Sequence, residues 1–146
     1  MPRYSHASRS TVIGTSARAM VSIFGTTAVR PVLREVGVFN TTTTATQVAL
    51  ARFTNATGVG TGITEAPEDP ASTAAVATVF AGHTADGGVG NFLRIASLGA
   101  AIGSGVIWTF GGNGIVINQA TADGVGVLTP AGVTGQICDI YLVWDE

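Results

Sequence analysis

At 146 residues with a formal net charge of −2, the chain has the length of a single domain and can bury a substantial core. Only 11% of its residues are charged, 46% are hydrophobic, and its seven basic residues are all arginine. These figures exclude nucleic acid as a partner: displacing counterions from phosphates takes clustered Lys or Arg, and the arginines are scattered from Arg3 to Arg94.

In chain order, residues 1–17 read as an extended N-terminal arm, polar and carrying Arg3, Tyr4, His6 and Arg9. The opening MPRYSHASRS lacks the apolar run of a secretory leader. Residues 18–146 read as one domain. Short β-branched or aromatic runs recur there, bounded by Gly, Asn, Asp or Pro, and helical spacing is nearly absent. Strands are predicted at 18–24, 31–39, 46–54, 73–81, 91–98, 105–110, 114–118, 124–128 and 135–144. A loop over 55–72 holds the GVGTG run and the acidic EAPEDP. Asp86-Gly87, Asn113-Gly114 and Asp123-Gly124 mark tight turns. Many short strands with regular turns predict an all-β, antiparallel β-sandwich of about eight or nine strands. Residues 95–122 carry no charge, but six glycines, Asn113, Asn118 and Gln119 interrupt them, so strands and turns are expected rather than a membrane span.

The closing strand is the most informative segment. Cys138, Ile140, Leu142 and Trp144 alternate with Ile137, Asp139, Tyr141 and Val143, and both sets are largely apolar. A strand on the face of a lone sandwich shows one polar side. The second side is therefore covered, either by another subunit or by a loop of the same chain. With a mean hydropathy of +0.42, burial of outer surface in an assembly is the simpler physical reading.

Chemistry-bearing patterns are sparse. The two histidines, His6 and His83, lie far apart, and neither HExxH nor CxxC occurs, so no metal ion and no cofactor is expected. His83 near Asp86 could make a base with its orienting carboxylate, although a solvated loop is the plainer expectation. Glu65, Glu68 and Asp69 read as a solvated acidic turn, since their spacing is not that of a calcium loop. The single Cys138 sits in a strand pattern and reads as a small core residue. No GxSxG elbow occurs, and a P-loop needs a lysine that the chain does not have. Asn40-Thr41-Thr42 and Asn55-Ala56-Thr57 fit the glycosylation pattern. The chain is not expected to be an enzyme.

The stretches 34-REVGVFNTTTTATQVALARFT-54, 93-LRIASLGAAIGSGVIWTF-110 and 139-DIYLVWDE-146 resemble segments of small virion proteins of tailed bacteriophages, over roughly residues 18–146. The resemblance implies a jelly-roll-like fold. It also implies the role of a head decoration or cement protein, a homotrimer on the outer surface of the capsid. Such a protein binds the major capsid protein and bridges neighbouring subunits against internal DNA pressure. On this reading Arg3, Tyr4 and Arg9 of the arm, and Tyr141 and Val143 of the closing strand, are the partner-binding residues. The alternative from another class is a trimeric receptor- or glycan-binding module of a phage tail or fibre. Trp108 and Trp144 lie inside strand patterns, which weighs against an exposed sugar-stacking platform.

Overall fold

A computed structural model describes residues 1–56 and 60–146. The second glycosylation pattern ends at Thr57, and the GVGTG run begins with Gly58 and Val59. Those three positions lie outside the described residues.

Twelve strands and no helix are formed among the described residues: β1 Arg3–Arg9, β2 Val21–Phe24, β3 Val32–Asn40, β4 Thr46–Phe53, β5 Thr61–Ile63, β6 Ala66–Pro67, β7 Thr78–Ala81, β8 Val89–Leu98, β9 Gly105–Thr109, β10 Ile115–Val116, β11 Gly124–Leu128 and β12 Cys138–Asp145. They build two antiparallel six-stranded sheets. The first runs β10-β3-β12-β1-β6, with β9 also on β3, and the second runs β5-β7-β2-β11-β4-β8.

The architecture follows from four nested antiparallel pairs. β4 pairs with β8, β3 with β9, β2 with β11 and β1 with β12. Successive pairs alternate between the sheets, and β3–β12 and β4–β11 join them sideways. A long hairpin wrapped in this way is a jelly roll. The short strands are additions. β5, β6 and β7 come from the excursion between β4 and β8, and β10 from the connection between β9 and β11.

The core between the sheets is built by period-two alternation. Val36, Val38, Ile140, Leu142 and Trp144 of the first sheet meet Val21, Ile23, Val48, Leu50, Val125 and Val127 of the second. β2 and β11 are buried along their whole length, on both faces. The outer face of the second sheet carries a smaller core of its own, with Phe24, Phe53, Ala49, Ala51 and Leu128.

The expected extended arm is corrected. Residues 3–9 are a strand inside the first sheet, paired with β12 from Arg3↔Asp145 to Arg9↔Asp139 and with β6 on the other side. Its polar composition is compatible with that place because the backbone ladder holds it and only Tyr4 enters the core. The Tyr4 ring stacks on Trp144 at 5.9 Å, and its hydroxyl donates to the Thr73 carbonyl at 2.9 Å. About eight or nine strands were expected and twelve are formed: the expected strands at 18–24, 73–81, 114–118 and 135–144 are shorter than their predicted bounds, and the expected loop over 55–72 holds the short β5 and β6. Backbone N–H groups of 75–77 are satisfied by carboxylates of Glu65 and Glu146 rather than by a neighbouring strand.

Candidate interaction surface

The register fixes which side chains share the outer face of the first sheet. Arg9, Asp139, Phe39 and Gly105 stand in one row, Ala7, Tyr141, Gly37 and Ile107 in the next, and Ser5, Val143, Glu35 and Thr109 in a third. Two glycines give this face its form. A Cβ at Gly37 would lie 2.0 Å from the Tyr141 ring, and one at Gly105 would lie 2.3 Å from the Phe39 ring. Each aromatic ring therefore lies flat over a glycine of the neighbouring strand, a pairing that covers exposed glycine backbone. The two rings stack at 6.4 Å with planes 23° apart. Beside them lies an open, mainly apolar groove of about 280 Å³, lined by Ala7, Ser8, Phe39, Asp139, Ile140 and Tyr141. Ile107 adds a side chain that is 53% exposed.

The charged groups around the groove are tied down within the chain. Arg9 donates through Nε and Nη2 to the two Asp139 oxygens at 2.7 and 3.0 Å. Arg3 and Arg34 both donate through Nε to Asp145, at 2.8 and 2.6 Å. Tyr141 donates its hydroxyl to Glu35 at 2.6 Å. Burial and that bond push the Tyr141 hydroxyl up to about 12, so it stays a neutral donor. The Arg9 hydrogen bonds, aided by its charge, hold Asp139 below the usual carboxylate range. Burial alone would raise Asp145, but the bonds and charges of Arg3 and Arg34 outweigh it and hold Asp145 low. Three arginines and three carboxylates thus leave the face formally neutral.

Of the expected partner-binding residues, Tyr141 and Val143 stand half-exposed on this face. Arg3 and Arg9 lie at its ends, held in bidentate pairs. Tyr4 is the correction: it is 1% exposed and faces the core, so it is not available to a partner. Phe39, Ile107, Gly37 and Gly105 were not singled out from the sequence. What joins them to Tyr141 is the pairing of β3 with β12 and β9, which brings Gly37 beside both Tyr141 and Ile107 from distant parts of the chain.

The sites weighed for chemistry resolve differently. His83 is not in a solvated loop: it is 3% exposed, with Nε2 2.6 Å from Ser22 Oγ, and its ring packs on Phe24 and Phe53. Asp86 does not orient it but accepts from the Gly88 N–H at 2.8 Å. The Ser22–His83 pair has the composition of a nucleophile and its base, yet both residues are sealed from solvent. Cys138 is buried, which pushes its thiol up to about 11 and keeps it protonated. Asn40 is 1% exposed, and its amide donates to the Thr44 and Gly99 carbonyls, so it is no glycan acceptor in the folded chain. Trp144 is buried, and Trp108 packs half-buried against the core. Among the described residues no group of three or more His, Cys, Asp or Glu side chains could hold a metal ion. No helix of the described residues is long and apolar enough to cross a membrane. Comparison with protein-family models, with curated proteins and with solved structures found no match.

Proposed function

We propose that this chain is a structural virion protein of a tailed bacteriophage, a decoration or cement protein. It sits as a homotrimer on the outer surface of the head and bridges subunits of the major capsid protein. The observation that carries the reading is the outer face of the first sheet. It is apolar at its centre, formally neutral, and built on rigid rings seated over Gly37 and Gly105. Interface cores are rich in aromatic residues and poor in free charge, which is the character of this face. The jelly roll adds support by analogy, since the fold recurs in viral capsid proteins and also in lectins and cupins. The low share of charged residues fits a chain whose surface is covered by neighbours.

Cryo-electron microscopy of the particle that carries the protein tests this reading. The expected result is three copies around a local three-fold axis on the outer shell, in contact through the Phe39–Tyr141 face and touching more than one capsid subunit. Density at a tail or fibre tip would favour the receptor- or glycan-binding module instead, and density at neither place would overturn both.

A further inference from the structure

We propose that residues 82–88 form an acid-released latch: protonation of His83 expels its ring from between Phe24 and Phe53, and the loop swings away on Gly82 and Gly88. This inference is independent of the function proposed above.

The loop folds over the outer face of the second sheet and is tied there from two sides: Thr54 N–H donates to the Gly87 and Gly88 carbonyls at 3.2 and 3.0 Å, Asn55 N–H to Gly87 at 3.0 Å and the Thr54 hydroxyl to Gly88 at 3.1 Å. Gly82 N–H donates to the Met20 carbonyl at 2.9 Å, His83 N–H to Ala19 at 3.1 Å and Gly87 N–H to Ala17 at 3.1 Å. The side chain at its centre is His83, stacked 6.3 Å from Phe24 and tilted 5.4 Å from Phe53. Gly87 closes the slot from above: a Cβ there would lie 2.3 Å from the Phe53 ring and 3.4 Å from His83 Nδ1. Gly82 and Gly88, at the two ends, both take φ of 64°, a conformation that lets a loop pivot without side-chain cost.

Neutral imidazole fits this slot and imidazolium does not. A protonated ring must donate from both nitrogens. Nε2 is satisfied by Ser22 Oγ, but Nδ1 has no hydrogen-bond partner among the described residues. Among the described residues no countercharge is directed at the ring from the elements around it. β2 brings Ser22 and Phe24, β11 brings Gly124 and Gly126, and β7 brings Phe80, all uncharged. Arg52 of β4 turns the other way and donates to the Val116 carbonyl. Arg18, beside Ala19, is exposed, and Asp86 is committed to Gly88. Burial accordingly pulls His83 from 6.5 down to about 4.

The sign follows from linkage. The open loop binds a proton at the ordinary imidazole value and the closed loop only near pH 4, so the latch is secure above about pH 6.5. It weakens as the pH falls, until the closed form is itself protonated. Across that window the opening equilibrium rises by up to about 300-fold. The carboxylate pairs of the first sheet respond only below the carboxylate range, so the two effects separate on the pH axis.

Amide hydrogen exchange between pH 7 and pH 4.5, corrected for its intrinsic pH dependence, tests the latch. Protection at Gly82, His83 and Gly87 is expected to fall by at least tenfold while the β3–β12 ladder keeps its own. In His83→Gln, whose amide is neutral throughout, the loss should vanish. A ring titration of His83 by NMR in the unaltered chain covers the case in which that variant fails to fold. The loop amides should then change over the same pH range as the ring. Equal protection at both pH values, loss in step with the whole sheet, or the same loss in His83→Gln would overturn the proposal.

Discussion

Tyr141 lies flat because Gly37 leaves room beneath it, and this dependence can be measured. Gly37→Ala places a methyl group inside the ring's volume, so the ring must lift or the strand must shift. Overpacking of this kind costs about 1–3 kcal/mol. A thermal or urea unfolding series should show that loss for Gly37→Ala and show it largely relieved when Tyr141→Ala is added; additive losses would mean the two do not touch. Asp145 gives a second residue-level expectation. Because Arg3 and Arg34 hold it below its ordinary value, its contribution is complete above the carboxylate range and is lost as pH falls through its folded value. Asp145→Asn should therefore lower the melting temperature at pH 6 and flatten its decline below about pH 4. An unchanged acid limb would place that decline elsewhere.

β1 shows at the scale of an element what the sequence reveals and what it conceals. Strands such as β3, β11 and β12 were legible because both their faces or their alternation are apolar, and the two faces of β12 divide as its alternation predicted. β1 was not, because its outward positions carry Ser5, Ala7 and arginines whose partners, Asp139 and Asp145, lie at the far end of the chain. Local composition carries no trace of such pairing. β5 and β6 have three and two residues, too few for any periodic signal. His83 was misplaced for a related reason: its neighbours in sequence are loop residues, while its neighbours in space are two phenylalanines from β2 and β4. Of the candidate surface, Tyr141 and Val143 could be read from alternation, whereas Phe39, Gly37 and Ile107 needed the strand register. The stability consequence is direct. Tyr4→Ala removes a fully buried ring and should cost about 3–5 kcal/mol. Deletion of residues 2–16 should prevent cooperative folding, as judged by near-ultraviolet circular dichroism and calorimetry. A deletion product with a native melting transition would restore the arm as a dispensable segment.

At the scale of the whole molecule, the first sheet keeps an apolar, formally neutral outer face that one copy leaves open. Cyclic assembly buries the same patch in every subunit and leaves none of it exposed. Asp139 and Asp145 are paired with arginines and Glu35 accepts from Tyr141 within the chain, which would lower the cost of burying this face. Tyr141→Arg should convert the assembly to a monomer while leaving far-ultraviolet circular dichroism unchanged, because the ring covers a glycine and is not part of the core. The most direct measurement is light scattering on the eluting protein at micromolar concentration. A homotrimer closed through this face predicts a mass three times the chain's 14.7 kDa, falling to one chain in Tyr141→Arg. A stable 14.7 kDa monomer in the unaltered protein, with no tendency to associate on concentration, would contradict it.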